Sequence, residues 1–162
     1  LHLSGYTLFD PATRPVCIEL MNEAKQRGIG VSLDPSSVSF LREVGVEEFL
    51  AWTAGVDLVF PNLDEARLLI GSSGPSIVFD ALVRQYPHVV VKLGSMGAAY
   101  VTETIREQAP ANRIEALDTT GAGDSFAAGF LSVWVNQRDP KAALAAGTNA
   151  AQRCVQQRGA RP

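Results

Sequence analysis

The nine residues Asp118-Thr119-Thr120-Gly121-Ala122-Gly123-Asp124-Ser125-Phe126 constrain this chain more than any other stretch. Upstream lie strands rich in Val, Ile and Leu. Downstream, Phe126 to Asn136 is apolar, rich in small residues and free of proline, which reads as a buried helix. The nine residues are therefore a strand-to-helix turn. Two glycines flanking one alanine let the backbone bend sharply and put no bulk over its amides. The first amides of a helix have no internal partner and sit at the positive end of the helix dipole. Such a turn is an anion site, and phosphate is the usual anion.

Asp124 is the odd residue there, because a carboxylate aimed at a bound phosphate repels it. One reading makes it a cap or first-turn acid, which helices favour. The other makes it a general base that takes the proton from an attacking hydroxyl. In that case the amides of residues 121–124 would hold the developing negative charge. The turn on its own leaves both open.

The rest of the chain alternates strand and helix. Leu1 to Ser4 reads as a strand and Tyr6 to Pro11 as a loop. A helix follows, capped by Thr13, with Pro15 in its first turn and Gly28 at its end. Ile29 to Leu33 is a buried-type strand ending at Asp34-Pro35, which either borders a ligand or is a bare turn, the turn being the favoured reading. Val38 to Val44 is a helical turn or short helix. Val46 to Thr53 is the next helix, with Trp52 as packing. Asp57 to Phe60 is a strand that Pro61-Asn62 turns into the helix Leu63 to Ile70. Ser76 caps a further helix to Gln85. His88 to Leu93 is a strand buried on both faces, and Ala98 to Thr102 returns as a hairpin strand. Ile105 to Ala109 and Arg113 to Leu117 are edge strands, and Asp139-Pro140 opens a last helix that Gly159 ends. Alternation of this kind predicts an α/β fold: one three-layer α/β/α domain with a mostly parallel sheet. Ligands bind such sheets at the carboxyl ends of the strands, where Asp34, Asn62, Gly94 and the glycine turn all fall.

Composition narrows the function classes. With 46% apolar and 19% charged residues, 162 residues can build one globular core. The net charge is −3 with three Lys against eleven Arg and no basic cluster, which argues against nucleic acid as a partner. No apolar run reaches the roughly 18 residues of a membrane span, and no secretory leader is visible. Cys17 and Cys154 lack a CxxC partner and read as small buried hydrophobes, in keeping with a reducing cytoplasmic location. His2 and His88 have no acid or metal partner at useful spacing. Phe126 stands where a dinucleotide loop wants its third glycine, no Lys follows Gly as a Walker loop requires, and Ser125 lacks the hydrolase elbow frame.

Asp-Thr-Thr-Gly-Ala-Gly-Asp-Ser-Phe followed by Ala-Ala-Gly-Phe resembles the C-terminal signature of the PfkB (ribokinase-like) carbohydrate kinases. The resemblance implies that Asp124 is the catalytic base, that Gly121, Ala122 and Gly123 supply an anion hole, and that Asp118 and Thr120 help hold a monovalent cation such as K+. Asn62-Leu63-Asp64-Glu65 is a capping box in its own right. It also resembles the family's magnesium and phosphate motif. That implies Glu65 organising Mg2+ through water, since Mg2+ sheds its shell reluctantly, and Asn62 near the nucleotide phosphates. Residues 91–97 resemble the strand end that borders the nucleotide, which implies Lys92, Gly94 and Gly97 beside it. An ordinary hairpin turn with a solvated lysine is the other reading. Asn149 resembles the asparagine near adenine, and Gly159 a cation neighbour beyond the last helix; a packed helix and its C-cap explain both equally.

The function expected from the resemblance is transfer of the γ-phosphate of ATP to a hydroxyl of a sugar or nucleoside. A non-catalytic nucleotide- or phosphate-binding domain of the same fold is the alternative. The chain starts without Met inside an apparent strand, so the expectation is the C-terminal portion of a ribokinase-like domain, truncated on its N-terminal side. Alone it would be inactive, and the parent protein could form a homodimer.

Overall fold

The computed structural model describes residues 1–71, 74–111, 114 and 116–159. These fall into two compact units, one of Leu1–Val91 with Val101–Thr104, the other of Lys92–Tyr100 with the described residues from Ile105 onward.

The first unit is built on strands β1 (His2–Ser4), β2 (Ser32–Asp34), β3 (Leu58–Val59) and β4 (His88–Lys92), side by side in that order. All three pairings are parallel, with His2 opposite Ser32, Ser32 opposite Leu58 and Leu58 opposite His88. Parallel neighbours need a crossover. Helices α1 (Tyr6–Phe9) and α2 (Arg14–Gln26) supply the first, α3 (Val38–Val44) and α4 (Val46–Trp52) the second, α5 (Leu63–Ile70) and α6 (Pro75–Leu82) the third. Leu8, Leu33, Leu41, Phe49, Phe60 and Val90 are fully buried in it. One polar pair lies in this interior: Thr53 Oγ1 and Tyr86 Oη are 2.7 Å apart. Burial pushes the Tyr86 hydroxyl up to about 12, against the smaller opposite pull of Thr53.

Three local expectations differ. Residues 6–9 form a turn of helix rather than a loop, because the Gly5 carbonyl accepts the amides of Leu8 at 2.9 Å and Phe9 at 3.0 Å, burying both side chains. Thr13 is at the cap of α2, but its hydroxyl donates to Thr7 O at 2.7 Å instead of accepting a helix amide. Helix α6 starts at Pro75 with Gly74 as its cap, not Ser76; proline suits the first position because it has no amide to satisfy. Trp52 does pack, under the Arg14 guanidinium 3.9 Å from its ring centre. Asp34 does hold a turn: its Oδ1 accepts Ser36 N at 3.0 Å, with Ser36 at φ 68°.

The second unit contains a 3-10 turn (Gly94–Met96), neighbouring strands β5 (Ala98–Val101) and β6 (Arg106–Ala109), and two long helices, α7 (Ala122–Gln137) and α8 (Pro140–Val155). Asp139 caps α8, its Oδ1 accepting the amides of Lys141 at 2.9 Å and Ala142 at 3.2 Å. The two helices approach through glycines. A Cβ on Gly129 would stand 2.7 Å from Ala146 O, and one on Gly147 would stand 2.9 Å from Phe126 O. Phe126, Phe130 and Trp134 form an aromatic row along α7, with Tyr100 stacked on Phe130 at 6.4 Å between ring centres. Part of the expected strand Arg113–Leu117 lies outside the described residues. Its end is held by α8, with Val155 O accepting the amides of Leu117 at 2.8 Å and Asp118 at 3.3 Å.

Candidate active site

Helix α7 starts four residues earlier than Phe126, inside the glycine motif. Gly121 is its cap in the left-handed conformation, φ 76° and ψ 2°, which glycine adopts without strain. The Ala122 amide is taken by Thr119 O at 3.2 Å, and Ser125 N already bonds back to Gly121 O at 2.9 Å. Among the described residues nothing accepts from the amides of Gly121, Gly123 and Asp124. The open donors of this helix end are therefore Gly121, Gly123 and Asp124 rather than Ala122. They sit at the positive end of a sixteen-residue helix. Asp124, in the first turn, is exposed, and no described group bonds its carboxylate. A carboxylate held next to free amides and open to solvent can accept a proton from a ligand hydroxyl that reaches it.

Beside this helix end is a cavity of about 480 Å³ within the second unit. Lys92, Gly94, Gly97, Ala122 and Gly123 line it, so five residues singled out in the sequence come together on one wall system. Gly97 has φ 95°, and a Cβ there would fall onto Ala109 O. The close backbone crossing next to the cavity is what demands glycine. Gly94 has φ 61° with open space around it, so its need is conformational.

Helix α8 gives the cavity Thr148, Ala151, Gln152 and Val155, a single stripe at i, i+3, i+4 and i+7. Asn149 is off that stripe and exposed. Thr148, Gln152 and Phe126 were missed in the sequence; the helical spacing of 148, 151, 152 and 155 behind the glycine turn was the available signal.

Asp118, Thr120 and Gly159 also meet. Asp118 Oδ1 accepts Thr120 N at 2.9 Å and Oδ2 accepts Gly159 N at 3.0 Å. These bonds, chiefly those from Thr120, hold the Asp118 carboxyl below its ordinary value of 3.8. Thr120 O accepts the Cys154 thiol at 3.4 Å. One carboxylate beside a weakly engaged carbonyl is a sparse, hard-oxygen donor set, which fits a loosely held monovalent ion. No group of three or more His, Cys, Asp or Glu suited to a metal occurs among the described residues.

Asn62 and Glu65 belong to the first unit, at the carboxyl end of β3. The capping box forms in full: Asn62 Oδ1 accepts the amides of Asp64 at 3.0 Å and Glu65 at 2.9 Å, and Glu65 Oε2 accepts Asn62 N at 2.8 Å. Glu65 is 2% exposed. A single carboxylate, buried and already accepting Asn62 N, offers too few open oxygens to hold Mg2+ directly.

The chain matches the pfkB family carbohydrate kinase description over residues 1–162. It belongs to that family. It is 34% identical over 134 residues to the ATP-dependent ribose-1-phosphate kinase of Halopiger xanaduensis, covering 83% of this chain and 42% of that protein. The crystal structure of adenosine kinase from Sinorhizobium meliloti superposes with a TM-score of 0.92 at 30% identity, covering 99% of this chain and 50% of that one. Fructokinase from Vibrio cholerae, crystallised with fructose, ADP and calcium, superposes at 0.83 with 25% identity, covering 99% of this chain and 55% of that one. The fold is thus α/β of the ribokinase-like kind, and the chain spans about half the length of the relatives it matches. No helix among the described residues is long and apolar enough to cross a membrane.

Proposed function

We propose that residues 1–162 form the C-terminal portion of a kinase domain that moves the γ-phosphate of ATP to a hydroxyl of a sugar or nucleoside. One observation carries the reading: an exposed Asp124 carboxylate that no described group bonds, in the first turn of α7 among open amides, where Ala122 and Gly123 of the same turn line a cavity of about 480 Å³. A site that only bound phosphate would gain nothing from an acid there.

In this reading the Gly121, Gly123 and Asp124 amides hold the charge that builds on the transferring phosphoryl oxygens. Asp124 orients the acceptor hydroxyl and takes its proton. Lys92 and the Gly94–Gly97 turn border the nucleotide. Mg2+, when bound near Asn62 and Glu65, supplies neutralisation of the phosphate charge. A monovalent cation such as K+ beside Asp118, Thr120 and the Gly159 segment would stiffen the turn that leads into α7. The protein would work in the cytoplasm. In this reading the residues that grip the acceptor would lie outside residues 1–162, and the chain by itself would not turn over ATP with a sugar.

The test is Asp124→Asn in the full-length protein. The variant should lose at least about a hundredfold in turnover, the scale of general-base catalysis, and still bind nucleotide. Turnover within a few-fold of the parent would sink the assignment.

A further inference from the structure

The peptide plane between Thr120 and Gly121 carries one of the open donors of the glycine turn, the Gly121 amide. The planes on either side of it are held. Asp118 Oδ1 accepts Thr120 N at 2.9 Å, and Gly121 O accepts Ser125 N at 2.9 Å. The plane between them ends in a glycine, at φ 76°. Glycine takes φ of either sign, so this plane can turn over, the flip that separates type I from type II turns. The bond is trans, so its carbonyl and its amide hydrogen point opposite ways. Turned over, the plane would aim Thr120 O where the Gly121 amide now points. A carbonyl oxygen there repels an anion.

One bond opposes the flip. The Cys154 thiol donates to Thr120 O at 3.4 Å, from 34 residues along the chain. No other described group bonds either end of the plane. Cys154 is fully buried in the last turn of α8. That turn is itself fixed to the same segment, because Val155 O accepts the amides of Leu117 at 2.8 Å and Asp118 at 3.3 Å. A thiol is a weak donor, but here it acts on a plane whose two orientations glycine leaves close in energy.

We propose that Cys154 is a positioning residue for phosphoryl binding: by holding Thr120 O, its thiol keeps the Gly121 amide turned out toward the anion. The inference rests on the phosphotransfer reading above and adds a buried residue of α8 to the support of the anion hole. Cys154 touches no substrate and moves no proton of the reaction. It takes one lone pair of the Thr120 carbonyl and leaves the other open to a monovalent ion.

Calorimetric titration of the full-length protein and its Cys154→Ala, Cys154→Val and Cys154→Ser variants with tripolyphosphate tests this, together with melting curves taken without ligand. Alanine and valine bracket cysteine in volume, and neither has a donor. Each variant should bind tripolyphosphate about fivefold more weakly, the scale of one hydrogen bond. Serine keeps a donor, a stronger one on a shorter arm, and should bind within about twofold of the parent. A role in packing alone ranks the variants the other way, because serine puts a hydroxyl among buried apolar groups. Affinity that follows melting temperature rather than the donor, or that is undiminished in the alanine and valine variants, overturns the proposal and leaves the phosphotransfer reading to the Asp124→Asn test. A parent that does not bind tripolyphosphate removes the anion site on which both readings rest.

Discussion

Asp118 Oδ2 accepts the Gly159 amide at 3.0 Å, joining residues 41 apart in the chain. The other oxygen holds Thr120 N at 2.9 Å. A single carboxylate therefore clamps the turn before α7 to the segment after α8. Its carboxyl is held below the ordinary 3.8 by Thr120 first and Gly159 second. A depressed carboxyl stabilises the folded form above its unfolded value and loses that effect as pH falls through the folded one. Asp118→Ala should speed amide hydrogen exchange at Gly159 and Thr120 about tenfold at neutral pH, as loss of a charge-assisted bond does. The parent should show the same acceleration only in acid below about pH 3.8. Unchanged exchange in the variant would show the clamp to be decorative.

The packing of α7 on α8 gives a second prediction. A methyl at Gly129 would stand 2.7 Å from both Ala146 O and Ala150 Cβ. Alanine gains about 1 kcal/mol over glycine in an exposed helix. Here the clash with a backbone carbonyl outweighs that gain, since overpacking costs about 1–3 kcal/mol. Gly129→Ala should lower the urea midpoint of unfolding. Because the displaced helix carries the Gly121–Asp124 turn, tripolyphosphate affinity should fall with it. A variant as stable as the parent would mean that the helices have room to part.

How far these features were legible follows from what each depends on. The capping box at Asn62 and the Asp139 cap are local, and both form where the sequence put them. The parallel strands follow from the Val- and Leu-rich runs, whose buried cores Leu33, Val59 and Val90 all lie in strands, though β2 and β3 are shorter than the apolar runs that signal them. Helix α1 was not legible, because it depends on the Gly5 carbonyl bonding two amides and on Leu8 finding a core. The glycine turn announced an anion site, but not that Thr119 O would take the Ala122 amide. The helical spacing of Thr148, Ala151, Gln152 and Val155 is visible in the sequence, but that this face of α8 meets a cavity is not. Sequence reports bonds between near residues; which face of a helix meets a cavity is decided by partners far along the chain.

The buried hydroxyl of Tyr86 sets an alkaline limit. Its value is raised from 10.0 to about 12 by burial, against the pull of Thr53. A group raised on folding stabilises below its unfolded value, and that contribution is lost as pH climbs through the folded one. Between about pH 10 and 12 the chain should lose about 2–3 kcal/mol on this account. Tyr86→Phe removes the titration. Thr53 Oγ1 keeps its bond to Phe49 O at 2.9 Å, so the variant should cost only about 0.5–1.5 kcal/mol at pH 8. Melting curves of both proteins at pH 9 to 12 check this: the parent's curve should fall toward and then below that of the variant. Parallel curves would place the alkaline loss elsewhere.

Glu65 can be made to separate its two roles. As a capping residue it accepts Asn62 N at 2.8 Å, and glutamine does the same work through its amide oxygen. As a metal organiser it must carry charge, which glutamine does not. Glu65→Gln should therefore leave the stability of α5 within about 0.5 kcal/mol. Asn62→Ala removes the acceptor of two amides and should cost about 1 kcal/mol. In the full-length protein, Glu65→Gln should then raise the Mg2+ concentration needed for half-maximal turnover by about tenfold, the scale on which lost outer-shell partners weaken metal sites. Asn62→Ala should shift it less, because the carboxylate stays. If Glu65→Gln unfolds the chain as readily as Asn62→Ala while the Mg2+ requirement is unmoved, the buried carboxylate serves the helix alone and the metal is organised by other groups.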